Sequence, residues 1–218
     1  MHKFRIPRLV IAAAVAILSA CAIGCLCFFQ VRVTDNNLSP QLQNGDRVMI
    51  NRLTPLDRGQ IVVYINPLSS SKFSYGLGKC LALAGDTLRL FMKDVTSNSH
   101  SKHNYAWHDI IVPSKNTPVK VTRWNKKLLS NALFSYEGAN VCSKCDSVLV
   151  VNGIPKQEVV FSHDFVWVCA RNSHTISDSR LFGFLPTDNI LGNASFISYS
   201  IQEGYSIPLS RIFKKLDD

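Results

Sequence analysis

Cys142 and Cys145 form a single C-x-x-C, the one cysteine spacing in the chain that suggests chemistry. In an oxidising compartment such a pair can close a local disulfide, although the loop is short and strained. Zinc would need two further ligands, and His100, His103 and His108 are the available candidates. No cofactor and no metal are expected from so thin a donor set. A second constellation is Asp178-Ser179-Arg180, an acid and a guanidinium two residues apart. A third is NNLSPQLQNGD over residues 36–46, where Pro40 and the turn pair Gly45-Asp46 frame a polar loop. The remaining cysteines have plainer readings. Cys21, Cys25 and Cys27 lie in an apolar run, while Cys80 and Cys169 have apolar neighbours and read as buried strand positions.

These residues need elements to hold them. Residues 9–29 are uncharged and apolar, about the length a helix needs to cross a bilayer. Lys3, Arg5 and Arg8 precede the run, so the positive-inside rule puts residues 1–8 in the cytoplasm and the rest of the chain outside. That outside is the periplasm in a diderm bacterium. A cleaved signal peptide would have a shorter apolar core. Leu18-Ser19-Ala20-Cys21 resembles a lipobox, but the chain stays apolar for eight residues after Cys21. The net charge of +9 suits an anionic membrane surface. No nucleic-acid-binding motif accompanies it.

Outside the anchor the sequence reads as β. Short β-branched or aromatic runs over residues 30–34, 47–50, 61–65, 87–92, 147–151, 159–161, 165–169 and 194–201 predict strands. Turn signals at Gly45-Asp46, Arg58-Gly59 and Asn152-Gly153 punctuate them. No segment beyond the anchor shows a convincing helical period. The expectation is a mainly β, barrel-like domain built from residues 30–92 and 147–205. Residues 93–146, rich in Ser, Asn, His and Lys, read as an inserted subdomain of low apolar density. The basic segment 206–218 reads as a solvated tail.

Four blocks, in order, carry a family resemblance. Residues 36–46 resemble S-M-x-P-T-L-x-x-G-D, with Pro40, Leu42, Gly45 and Asp46 in register. Arg58-Gly59-Gln60-Ile61-Val62-Val63-Tyr64 resembles R-G-D-I-V-V-F, and residues 78–88, GKCLALAGDTL, resemble K-R-x-x-G-L-P-G-D-x-V through Gly85 and Asp86. Residues 177–186, SDSRLFGFLP, resemble x-D-S-R-x-F-G-F-V-P, preceded by Val151-Asn152-Gly153. The pattern is similar to that of type I signal peptidases, peptidase family S26. The resemblance implies a signal-peptidase-like β-barrel behind one transmembrane helix. It also implies a serine nucleophile, a lysine base held neutral by burial, and an oxyanion held by a hydroxyl and a backbone amide.

Carried over by register, those roles fall on unsuitable residues. The nucleophile position is Asn37, whose amide has no oxygen to deprotonate. The oxyanion serine position is Asp35, whose charge would repel an oxyanion. The base position is Gly78, and the next family position, usually arginine, is Lys79. Where the family reads G-D-N-R-x-x-S before the last block, Ala170, Arg171, Ser173 and Ile176 replace the glycine, aspartate, arginine and base-orienting serine. What remains is frame: Pro40, Gly45, Asp46, Gly85, Asp86, Asp178, Ser179 and Arg180.

The resemblance therefore implies an inactive signal peptidase homologue that binds or assembles. Its expected partners are the membrane together with signal peptides, secreted precursors, an active peptidase or a secretion complex. It would sit in the bacterial cytoplasmic membrane as a single-pass protein. An alternative is an active peptidase with a displaced dyad of Ser39 and Lys79, although a one-residue slip in a strand turns Lys79 to the opposite face. A third reading makes Cys142 and Cys145 a redox or metal pair.

Overall fold

The computed structural model describes residues 8–69, 74–94, 104–145, 147–171, 178–201 and 207–216. Helix α1 (Arg8–Cys27) covers most of the predicted apolar run. Its large side chains, among them Val10, Ile11, Val15, Ile17, Leu18 and Leu26, are exposed. Among the described residues no helix is long and apolar enough to cross a membrane. The side chains of residues 8, 9, 20, 21, 23 and 25 of α1 lie outside that description.

Strand β1 (Phe28–Arg32) leaves α1 directly and pairs antiparallel with β2 (Asp46–Asn51). The β2 burial alternates strictly, as a strand with one buried face requires. Strand β3 (Ile61–Ile65) instead buries its first four residues, because it is covered on both faces. Ile61 and Val63 enter a core with Val31, Leu38, Leu42, Val48, Ile50 and Ile197, whereas Val62 and Tyr64 enter one with Cys80, Val166, Val168 and Leu185. Next come β4 (Tyr75–Ala82), the ribbon β5 (Thr87–Asp94) with β6 (Asn104–Ile111), and β7 (Val119–Lys120). Helix α2 (Lys126–Tyr136) precedes β8 (Val141–Cys145), β9 (Val148–Val151), β10 (Ile154–Lys156) and β11 (Glu158–Val159). The chain ends with β12 (Phe165–Cys169), α3 (Ser179–Phe182), β13 (Leu185–Pro186), β14 (Ile190–Ser200) and β15 (Lys214–Lys215).

The main sheet has eight strands, antiparallel throughout, in the order β1-β2-β14-β3-β4-β12-β13 with β15 added to β14. Its two ends do not pair, so the architecture is an open half-barrel rather than a closed one.

Two expectations need correction. The stretch 93–146 contains a helix and a large share of core. In α2, Leu129, Ala132 and Leu133 are buried at helical spacing. They join Ile110, Val112, Val119 and Val121 in one core with Phe161, Phe165, Trp167 and Phe184. Leu128 and Tyr136 pack on the same core, so the apolar stripe does recur at helical spacing, but it is one short run set in a polar stretch. The C-terminal segment is not a solvated tail either. Arg211 is buried, β15 pairs with Phe196 and Ile197, and Leu216 packs on the core beside β1 and β2.

Candidate functional site

The loop between β1 and β2 holds Asn37 and is pinned from within. Leu38 and Leu42 are its apolar pegs, at 3% and 0% exposure. The Asn36 side-chain oxygen accepts the Asn44 N–H at 2.9 Å, and the Asn36 carbonyl accepts the Ser39 N–H at 3.1 Å. Gly45 turns the chain at φ 93°, a conformation that favours glycine. Asp46 then goes fully inside. One of its oxygens accepts the Gln43 N–H at 2.8 Å, and the Arg211 guanidinium grips both oxygens while also donating to the Gln41 carbonyl at 3.1 Å. A residue near the end of the chain thus fastens the loop that follows the first strand.

At the tip of the loop the Asn37 N–H donates to the Asp35 carboxylate at 3.0 Å. This matters because a backbone amide at this position is what would hold an oxyanion. Here a resident carboxylate takes it.

Strand β4 forms the opposite side. In its register with β3, Tyr64 pairs with Gly76, Val62 with Gly78 and Ile61 with Lys79. Alternation places Gly76, Gly78 and Cys80 on one face and Leu77 and Lys79 on the other. The Gly78 face looks onto Tyr64 and Val168: a β-carbon built there would lie 3.4 Å from each. Lys79 runs the other way, its Cε 3.7 Å from where a Gly59 β-carbon would stand. Lys79 and Gly78 therefore address opposite sides of the sheet.

Tyr64 packs against the Gly76 and Gly78 face of β4. It is 1% exposed, and its pKa is raised by burial first and then by the nearby charges of Asp178 and Asp35. The phenol therefore stays protonated near neutrality. Burial pushes the Cys80 and Cys169 thiols up to about 11 as well, so neither supplies a thiolate at neutral pH.

The floor is the Asp178-Ser179-Arg180 block. Asp178 is 1% exposed and caps α3, accepting the Arg180 N–H at 3.0 Å and the Ala170 N–H at 2.8 Å. The Arg180 guanidinium reaches the same carboxylate at 2.6 Å and the Ala170 carbonyl at 3.2 Å. Burial alone would raise the Asp178 pKa, but Arg180 and the two N–H donors outweigh it and hold it below the ordinary carboxylate value. Ser179 Oγ accepts the Val168 N–H at 3.0 Å. At the rim, exposed Arg58 pairs with Asp86 in two hydrogen bonds of 2.5 and 2.7 Å, which lower the Asp86 pKa together with the Leu83 N–H.

A model of the signal peptidase family, peptidase S26, matches residues 6–199. The chain belongs to that family. No curated protein matches it. The match runs through the insertion, so the family assignment covers α2 and its core as well as the four blocks.

Set against the family's roles, Asn37 is half-buried and Ser39 is half-buried two residues on. Residues 172–177, which include Asn172, Ser173 and Ile176, lie outside the described residues, as do His100 and His103. Cys142 is a free, exposed thiol. Cys145 stands three residues along the same strand, past a bulge between Ser143 and Cys145, and its side chain lies outside the described residues. His108 stacks on Trp124 with ring centroids 3.6 Å apart. Among the described residues no group of three or more His, Cys, Asp or Glu is placed to hold a metal.

Sequence reasoning missed Tyr64, Gly76 and Arg211. A signal for the first two existed: an aromatic at the end of one strand and glycines two apart on the next is the pattern of a ring packed over a cross-strand glycine. Arg211 had none, since nothing local pairs it with Asp46.

Proposed function

We propose that this chain is a signal peptidase homologue without peptidase activity, which holds an extended segment of a secreted precursor at the outer face of the bacterial cytoplasmic membrane. The observation that carries the reading is the state of the three reaction positions. Asn37 has no nucleophilic oxygen, its N–H is taken by Asp35, and Gly78 offers no base. Around them the frame persists, with Asp46 and Asp178 both buried and both gripped by arginine.

A peptide seat beside that frame has a physical basis. Strand β4 pairs with β3 along Tyr75 to Lys79 but with β12 only from Lys79 onward. Among the described residues, the Tyr75–Leu77 stretch has no strand on its β12 side. Such an edge offers backbone hydrogen bonds to an added strand. For the anchor, the support is α1 itself: twenty residues with no charge after Arg8, exposed apolar side chains, and basic residues ahead of it.

The test uses the full chain in detergent with a secreted preprotein. No cleavage is expected, and a photo-crosslinker at Tyr75 is expected to capture the precursor. Cleavage that Ser39→Ala abolishes would overturn the proposal in favour of the Ser39/Lys79 dyad. An alkaline phosphatase fused after residue 216 is expected to be active, as it folds only outside the cytoplasm.

A further inference from the structure

We propose that the cleft between the β2–β3 connection and the C-terminal segment is an anion site, and that its ligand is a phosphate group. The proposal uses neither Asn37 nor Gly78, so it stands whether or not the chain cleaves peptides. The cleft has a volume of about 180 Å³. Drug-sized ligands fill pockets of roughly 300–1,000 Å³, so this one suits a small charged group rather than a peptide. Its walls are fixed. The buried Asn193 amide donates to the Thr54 and Pro55 carbonyls at 3.2 and 3.0 Å, which holds the connection to β14. The C-terminal wall is held by the Leu216 N–H, which donates to the Ser195 carbonyl at 3.1 Å, and by the pairing of β15 with β14.

The lining is rich in donors and contains no acid. Lys215 brings an ammonium, Ser195 a hydroxyl and Gln60 an amide, and among the described residues none of these side-chain donors has a protein acceptor. The Gln60 side-chain oxygen accepts the Asp57 N–H at 3.1 Å, which leaves its NH2 to donate. The Thr54 hydroxyl accepts the Asn51 side-chain amide at 2.7 Å and keeps its own proton to give. Lys79 adds a second ammonium beside the Gly59 wall. Its Cε lies 3.7 Å from where a Gly59 β-carbon would stand, and among the described residues it too has no ion-pair partner. The one acid of the connection, Asp57, is exposed, and its carboxylate accepts the Arg58 N–H at 2.7 Å.

Two ammonium groups and three neutral donors exceed what the two oxygens of a carboxylate usefully accept. A phosphate spreads its charge over more oxygens and takes charge-assisted bonds from several sides at once. Two sources offer such a group. The Arg52 N–H donates to the Cys27 carbonyl at 2.9 Å, so the connection starts where α1 ends, and Leu53 beside it is 67% exposed. A phospholipid headgroup is therefore one source, and a free phosphate is the other.

The test titrates inorganic phosphate into the full chain in a maltoside detergent and follows the Tm against chloride at equal ionic strength. A saturable rise is expected. Lys215→Gln and Lys79→Gln should each raise the half-saturating concentration about fivefold, the range of one partly exposed charged hydrogen bond. Lys214→Gln removes the same charge from the neighbouring strand position, which points to the opposite face, and should leave it unchanged. A phosphate response no larger than that of chloride would overturn the site. Equal effects of Lys214→Gln and Lys215→Gln would overturn it too, because they would mean diffuse surface charge. A second titration with short-chain phosphatidylglycerol separates the sources. If it half-saturates below inorganic phosphate and weakens in Lys215→Gln, the cleft holds a lipid headgroup. The reverse order, with the same loss in Lys215→Gln, assigns the cleft to a free phosphate.

Discussion

Two carboxylate–arginine clasps brace this site, and they are built over very different chain distances. Asp178 and Arg180 are two residues apart, at the N-terminus of α3, and the arginine side chain keeps 35% of its exposure. Asp46 and Arg211 are 165 residues apart, and both are almost fully buried. The first clasp forms wherever its own short block turns into α3. The second requires β14 to run its full length and the C-terminal segment to fold back over the Asn37 loop. The difference shows that the last described segment is part of the site's support, although its own sequence reads as a polar tail.

The largest effect should come from the long-range clasp. Arg211→Ala leaves Asp46 buried and unpaired, so urea unfolding should show a loss of about 4 kcal/mol. The double variant Asp46→Asn with Arg211→Met should recover part of it, since no charge then remains buried. A loss below about 1 kcal/mol for Arg211→Ala would mean that water reaches Asp46 and that the clasp is not sealed.

The local clasp should matter less. Asp178→Ala strands the Ala170 N–H and the α3 cap and should cost about 2 kcal/mol in the same assay, because Arg180 can still reach water. Its pH signature follows from the lowered folded-state pKa of Asp178. Stability from this group is present above the unfolded carboxylate value of about 4 and is lost as pH falls through the lower folded value. Chemical melts between pH 5 and pH 2 should therefore show a steeper decline for the native chain than for Asp178→Asn. Parallel curves would remove Asp178 from the acid response.

The smallest effect should be at the rim. Arg58 and Asp86 form the same kind of pair, but Arg58 is 63% exposed. Arg58→Ala should leave the unfolding midpoint within experimental scatter, because solvent and salt screen such a pair. A midpoint shift comparable to that of Asp178→Ala would show that exposure does not rank these clasps.

The legible parts of this protein are the local ones. Short runs of β-branched and aromatic residues announce β2, β3, β9 and β12, because a strand is written within four to six neighbouring residues. The Asp178 block is legible for the same reason: cap, acid and arginine lie within one turn. Helix α2 carries a helical stripe, Leu129, Ala132, Leu133 and Tyr136, but its brevity, the polar residues around it and core partners far along the chain, Phe161 and Phe165, hide it from a local reading.

By itself the sequence determined the family frame, the mainly β character, and the identity of the residues at the reaction positions: Asn37, Asp35 and Gly78. Those are facts of type and spacing. Only the tertiary structure decided what those residues meet. The Asn37 amide turns onto Asp35, Tyr64 covers Gly76 and Gly78, and Arg211 reaches Asp46 from the far end of the chain. The reason is physical. Hydrogen bonds within a loop and residues within a strand follow from neighbours in sequence, whereas the filling of a volume depends on which strands the fold lays side by side.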